Sequence, residues 1–507
     1  MRRRAVRRFA GSLAGPPMAG LLALVAAVMP ARAQSYRLQL DSRVQAVSYR
    51  GVDLRTVARS QVDTVDGFTY DGFAVSCLPG MATCSYFAPG AERRGGPLVT
   101  TADLSLWGLG VEGLRVRATG RLGVRLGDAD AWPGADPALQ LLEAYAEYAA
   151  RRFTVQLGRT HRATRFGWIG FDGALGTVRA TDEVAFTAYG GWGLARGVAL
   201  PVTSPALNPL DDFQPRDRQL VAGADAIVRL PWLTGRVLYQ REVDPGIDAF
   251  VSERAGADLA LRPLPGVSLT AGGDFDLASG WFGSGEVTAG YLTPAGRASV
   301  TFGGRRYRPH FPLWTIWGAF SPVPYRAAFG SAAVRPLDRL ELRLRGEAFA
   351  YDDAEADTPL GDVEENGWRW SWGATVRARP DLTVDGGFHA EYGPGGSSRG
   401  FEAAVTWLPR SDVTLTAHGA QLLRPLEFRF DESTVWVVGF DGSAELTPRV
   451  RITASAVRYD EVRDRPDAAA FDWDQFRLSA GLRVSLGAAF DRARLPPAIL
   501  RIPEGQR

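Results

Sequence analysis

The chain contains no lysine, and all 58 of its basic residues are arginine. We read this as codon usage rather than function. Cysteine is almost absent. The two that occur, Cys77 and Cys84, bracket Leu-Pro-Gly-Met-Ala-Thr. In an exported protein a close pair across Pro-Gly reads as a loop-clamping disulfide, and the spacing offers no further ligands for a metal. Histidine numbers four, at His161, His310, His389 and His418, scattered without zinc spacing and without a nucleophile–base–acid constellation. An enzyme is therefore not expected, nor is a cofactor or metal. Beyond residue 33 no apolar run is long enough for a membrane helix, and amphipathic helical periodicity is nearly missing. A large charge of one sign is also lacking. Removing the six arginines of residues 1–33, a segment without acids, leaves 52 basic against 56 acidic residues. So balanced a chain argues against a nucleic-acid partner.

The N-terminus carries a different signal. Arg2, Arg3, Arg4, Arg7 and Arg8 precede an apolar run from Met18 to Met29, then Pro30 and Ala31-Arg32-Ala33. A basic segment, a short apolar core and a small-x-small site read as a secretory signal peptide over residues 1–33. The run is too short for a spanning helix.

What fills the rest is alternation. In Leu114–Leu126, Leu114, Val116, Ala118, Leu122, Val124 and Leu126 fall on one parity, and Arg115, Arg117, Thr119, Arg121 and Arg125 on the other. On a strand these are opposite faces, one apolar and one cationic. The pattern recurs in Leu340–Ala350, Trp368–Arg377, Phe401–Trp407 and Phe476–Leu486. From Leu220 onward, pairs of such segments meet at short proline turns: Leu230–Leu233, Pro263–Gly266, Thr293–Gly296, Pro336–Asp338, Arg379–Asp381, Leu408–Asp412 and Thr447–Arg449. Proline cannot donate to a ladder, so it marks strand ends. Longer loops rich in Asp, Gly, Pro and aromatics separate the pairs.

Short turns at one end and long loops at the other predict an all-β fold, a large antiparallel transmembrane β-barrel over residues 34–490 with periplasmic turns and extracellular loops. The count is about 22 strands, with 16 to 20 as alternatives because the early strands and the Ala174–Gly191 hairpin are the hardest to place. Residues 491–507, with Pro496-Pro497, are expected to be a periplasmic tail. Phe490 shares parity with Phe476 through Leu486 and could serve as an internal assembly signal. Before Leu98, only Tyr36–Tyr49 reads as a strand, followed by a loop to about residue 97. Phe166–Gly173 reads as a loop too.

Glu143-Ala-Tyr-Ala-Glu-Tyr148, Gln156-Leu-Gly-Arg159, Phe171-Asp-Gly173 and Tyr189-Gly-Gly191 carry a resemblance. The chain resembles Gram-negative outer-membrane porin-type barrels, the broad group that includes alginate-export-like and other substrate-specific porins. That resemblance implies a cell outer membrane location. Its expected partners are outer-membrane lipid and lipopolysaccharide, the barrel-assembly machinery, small solutes and, as a candidate, further copies of the chain. The function it implies is passive diffusion of small hydrophilic solutes, anions among them. A non-conducting structural barrel is the alternative. A TonB-linked receptor would need a plug domain before the first strand, and the alternation starts near residue 36.

Candidate pore-lining residues are Arg115, Arg117, Arg121, Arg125, Glu143, Glu147, Arg343 and Arg345. Two readings stand for the arginine strand: a cationic ladder that attracts anions, or a wall network paired with Glu143 and Glu147 on the next strand. Arg305, Arg306 and Arg308 open a stretch running to Trp317. It is either a constriction loop folded into the lumen or a surface loop whose arginines face lipid phosphate.

Overall fold

The computed structural model describes residues 35–64, 69–127, 138–194, 219–243, 251–308, 324–352, 366–393, 396–425, 432–463 and 473–487. The expected signal peptide (1–33), the tail (491–507), Phe490 and the aromatic stretch 311–317 lie outside them.

The strands in chain order are β1 (Ser35–Ala58), β2 (Thr69–Tyr70), β3 (Phe73–Ser76), β4 (Thr83–Trp107), β5 (Leu114–Gly127), β6 (Leu139–Ala149), β7 (Phe153–Thr164) and β8 (Gly167–Arg179). Then come β9 (Val184–Gly193), β10 (Leu220–Arg229), β11 (Leu233–Val243), β12 (Val251–Leu264), β13 (Val267–Asp276), β14 (Trp281–Leu292), β15 (Ala298–Tyr307) and β16 (Tyr325–Leu337). The chain closes with β17 (Leu340–Tyr351), β18 (Asn366–Arg379), β19 (Leu382–Gly393), β20 (Gly396–Arg410), β21 (Val413–Pro425), β22 (Glu432–Thr447), β23 (Val450–Arg463) and β24 (Trp473–Gly487).

Each strand from β4 to β24 pairs antiparallel with its sequence neighbours, and β1 pairs with both β4 and β24, from Arg37↔Gly487 to Val47↔Arg477. Closure removes every open edge from the ring, the condition for a sheet to sit in lipid. The small strands β2 and β3 stand outside it, so the ring has 22 strands. Among the described residues no helix is long and apolar enough to cross a membrane; the strands do the crossing.

Register explains the two faces. One row across β17 to β20 reads Leu344, Trp372, Phe388, Phe401. The next row reads Ser331, Arg345, Ser371, His389. The first faces out and the second faces the lumen. Leu344, Val287 and Phe302 are 56%, 62% and 63% exposed, burial a soluble fold would not forgo but lipid supplies. All seven expected proline turns join consecutive strands, and their end of the barrel also holds the starts of β1 and β5.

Two segments read as loops are strands. β1 runs on to Ala58 and β4 begins at Thr83, so Ser48–Ala58 and Thr83–Arg94 form a two-stranded ribbon beyond the barrel. Eleven residues at strand rise project it roughly 35 Å past the last β24 partner. The Cys77–Cys84 disulfide closes its tip, where Val57, Val75 and Cys84 are buried together with Tyr70 and Tyr86 packed near them. The other is Gly167–Gly173, which forms the first half of β8.

Candidate pore constriction and lumen wall

The arginine strand β5 faces β4 on one side and β6 on the other. Lumen-side partners are Arg115↔Glu147, Arg117↔Tyr145 and Thr119↔Glu143. A bulge then leaves Leu142 without a partner, since Gly120 pairs with Leu141. The extra residue flips the strand, so Leu139 and Leu141 turn outward while Glu143 and Glu147 turn in. Arg117 donates to Asp103 at 2.9 Å and lies 3.2 Å from Glu143, and Arg115 lies 3.8 Å from Glu147. At these positions the pairing arrangement holds. Arg121 and Arg125 lie farther along the same face, in register with Thr101 and Pro97 of β4.

Glu143 is also bonded to His161 of β7 through Nδ1, and the His161 ring stacks on Trp168 at 4.0 Å. This contact begins the most built feature of the lumen. The upper half of the β7–β8 hairpin leaves the wall and crosses the inner face of β9 to β12. Its tip side chains find partners several strands away: Arg162 reaches Asp225 of β10, and Arg165 Nε donates to Asp258 of β12 at 2.7 Å. Arg254 of β12 donates to the Phe166 carbonyl at 3.3 Å and lies 4.8 Å from the centre of its ring. Under the hairpin, Phe171 (0% exposed) packs with Ile169, Leu175, Tyr189 and Val221 on the lumen side of β8 to β10. Polar side chains next to this core bond to one another. Tyr189 Oη donates to Gln240 at 2.9 Å, and Gln240 Nε2 to Glu242 at 2.7 Å. Asp225 serves a second guanidinium, Arg236, at 3.2 Å.

The bend is made by a row of glycines. Gly158, Gly173 and Gly191 are register partners on β7, β8 and β9. Gly158 holds φ +125°, and a Cβ there would strike the Ala144 carbonyl oxygen. On Gly173 a Cβ would strike that of Gly190. Backbone meets backbone along this line, so only glycine permits the crease. Just above it Arg159 grips Asp172 with two bonds of 2.7 and 2.9 Å, fixing the two strands as they turn.

The cluster of Arg305, Arg306 and Arg308 needs correction. Arg305 and Arg306 do not open a loop; they end β15, on opposite faces. Arg305 points inward and shares Glu347 with Arg369, at 2.5 and 2.8 Å, the carboxylate being fully enclosed between them. Arg306 points outward beside Arg326 of β16, and both reach Asp352, at 3.2 and 3.4 Å. Arg308 follows the strand and lies over Trp281, 3.3 Å from the ring centre. Lower on the same wall Arg343 donates to Asp385 at 2.8 Å, and Arg345 sits one row above it.

The folded hairpin and its anchors, Arg162, Arg165, Asp225, Arg236, Arg254 and Asp258, escaped the sequence reading. A usable trace existed at Asp225: a carboxylate between Gly223 and Ile227 on the more buried face of an otherwise apolar strand needs a cation from elsewhere. Among the described residues no group of three His, Cys, Asp or Glu side chains is placed to hold a metal.

A closed 22-strand ring, apolar outside and charged inside, with one hairpin folded into its lumen, defines a large outer-membrane β-barrel. No family model matches the chain, and no curated protein does. Among solved structures it is similar to OccK3 (OpdO) of Pseudomonas aeruginosa, at 12% identity and TM-score 0.36, over 90% of this chain and 97% of that one. It is similar to a BenF-like porin from Pseudomonas fluorescens Pf-5, at 11% and 0.40, over 90% and 100%. It is also similar to the ferric enterobactin receptor PfeA of Pseudomonas aeruginosa, at 11% and 0.46, over 88% and 81%. Likenesses this distant reach only a barrel's outline, and the class rests on the ring of pairings itself.

Proposed function

We propose that the protein is a passive outer-membrane channel for small hydrophilic solutes, anions included. The observation that carries this reading is the β7–β8 hairpin. A lumen of 22 strands is too wide for its own wall side chains to fill. Narrowing it with an anchored element of the wall suits a barrel that passes solutes by size. Arg115, Arg117, Arg121, Arg125, Glu143, Glu147, Arg343 and Arg345 line the path in this reading, with Arg305 on the same wall. Since several of them are ion-paired, charge selectivity arises from the surplus of guanidinium rather than from a bare cationic ladder. Arg306 and Arg326, facing out at the loop end of the barrel, are suited to lipopolysaccharide phosphate.

The test is single-channel conductance of the refolded barrel in a planar bilayer, with reversal potential under a salt gradient. Steady conductance with a modest anion preference is expected. A correctly folded barrel that passes no current would overturn the channel reading and favour a structural role.

A further inference from the structure

Most lumen charges on the wall from β15 to β20 are matched within the protein. Arg305 and Arg369 share Glu347; Arg343 has Asp385, which also accepts from Thr375. Two are not. Among the described residues Arg345 of β17 has no carboxylate partner, and Glu402 of β20 has no cation. Both line the same recess in the wall, of about 370 Å³.

The recess has an ordered layout. Arg345 is in register with Ser331 on one side and Ser371 on the other, so hydroxyls flank the guanidinium on both neighbouring strands. Neither hydroxyl is engaged within the described protein. One row down, Gly373 and Gly387 are register partners, and Gly387 pairs in turn with Glu402. These two glycines add no side chains of their own; the Arg343 guanidinium, held by Asp385, lies over Gly373, and the Glu402 carboxylate reaches over Gly387. β17 and β20 are three strand spacings apart, about 14 Å between backbones, and Arg345 and Glu402 line the recess from its two sides. The recess has room for about a dozen waters at ~30 Å³ each, or for a small solute and its remaining hydration.

We infer that this recess is a binding station for short zwitterions, solutes with a carboxylate at one end and an ammonium at the other. The carboxylate sits on Arg345 between the Ser331 and Ser371 hydroxyls, where a planar guanidinium and two donors match its oxygens. The ammonium is held by Glu402. A simple anion engages one end only and leaves Glu402 facing it, a like-charge contact that selects against it. Neither charged group has a partner among the described residues to orphan, so neutralising either one leaves the fold intact. The inference rests on the channel reading for one point, that the bound solute is in transit.

Saturation-transfer NMR on the barrel in detergent reads weak binding whether or not the barrel conducts. The probes are γ-aminobutyrate, butyrate and butylamine, titrated against wild type, Arg345→Gln and Glu402→Gln. γ-Aminobutyrate should bind wild type about tenfold more tightly than either one-ended probe, the difference one charge-assisted hydrogen-bonded contact makes. Arg345→Gln should weaken γ-aminobutyrate and butyrate about tenfold and leave butylamine unchanged. Glu402→Gln should weaken γ-aminobutyrate and butylamine and leave butyrate unchanged or stronger. Butyrate binding as tightly as γ-aminobutyrate would reduce the recess to a plain anion site and overturn the inference, as would binding indifferent to both substitutions. Binding without conductance sinks the channel reading and keeps the station; conductance without binding does the reverse.

Discussion

Replacing Asp225 with asparagine should unlatch the hairpin. The Asp225 side chain is 4% exposed and holds Arg162 of the hairpin and Arg236 of the wall, whose side chains are 15% and 19% exposed. Asparagine keeps the shape and removes the charge. Two guanidiniums are then enclosed side by side without a carboxylate. Breaking an enclosed pair in this way costs about 3–5 kcal/mol, and the low end applies next to a wet lumen. The penalty falls on the folded-in state alone, because a hairpin swung outward returns both guanidiniums to water. About 3 kcal/mol is about a hundredfold in the balance between the two states. Arg162→Ala provides the contrast: it removes one cation and leaves Asp225 satisfied by Arg236, so its effect should be several-fold smaller. Single-channel recording measures this as the fraction of time spent in a larger conductance level. If Asp225→Asn and Arg162→Ala behaved alike, or if neither raised that fraction over wild type, the electrostatic latch would be wrong and the buried core around Phe171 would have to hold the hairpin by itself.

Three further outcomes follow from the geometry. Gly173→Ala places a Cβ against the Gly190 backbone, so the crease must flatten; conductance should rise and the unfolding midpoint on heated gels should fall by the equivalent of about 1–3 kcal/mol, whereas wild-type values for both would refute the crease. Glu347→Gln frees Arg305 and Arg369 from their shared carboxylate and should shift the reversal potential toward anions at low salt, an effect that added salt should erase; a potential unmoved at low salt would count against these residues facing the path. Reducing Cys77–Cys84, or Cys77→Ser with Cys84→Ser, should loosen only the ribbon tip, by about 2.5 kcal/mol for a loop this short, seen as faster amide exchange over residues 69–86 with exchange in the barrel strands unchanged; a matching loss of protection in the barrel strands would contradict that separation.

Strands such as Leu340–Ala350 were legible because lipid on one side and water on the other impose a strict period of two. Where one of those solvents is missing, the signal goes with it. Gly167–Phe171 reads as a loop because the hairpin core takes apolar side chains on the lumen face, so no polar parity is left to see. The ribbon residues 48–58 and 83–94 have water around them instead of lipid and lose the alternation for the opposite reason. Arg305-Arg306 looked like a loop because neighbouring residues on a strand face opposite ways, and an arginine toward lipid is expensive. At the end of β15 it is not, since Arg306 meets Asp352 at the barrel rim. The ion pairs of Arg115 and Arg117 were half visible: parity set Glu143 and Glu147 beside them, but the bulge at Leu142 that turns those carboxylates inward needs the register. The glycine row was in plain view as three separate motifs. Nothing in one dimension says that Gly158, Gly173 and Gly191 stand in line.

Every part of the folded hairpin and its anchors lies between Glu143 and Asp276, a contiguous arc of the ring from β6 to β13. None of it touches the β1–β24 seam. A sheet that is still open can therefore hold the hairpin already turned inward, with its core packed and its salt bridges made, before the first and last strands meet. The order of events in assembly can then be narrowing first and closure second. The barrel need never exist as a wide, unguarded hole.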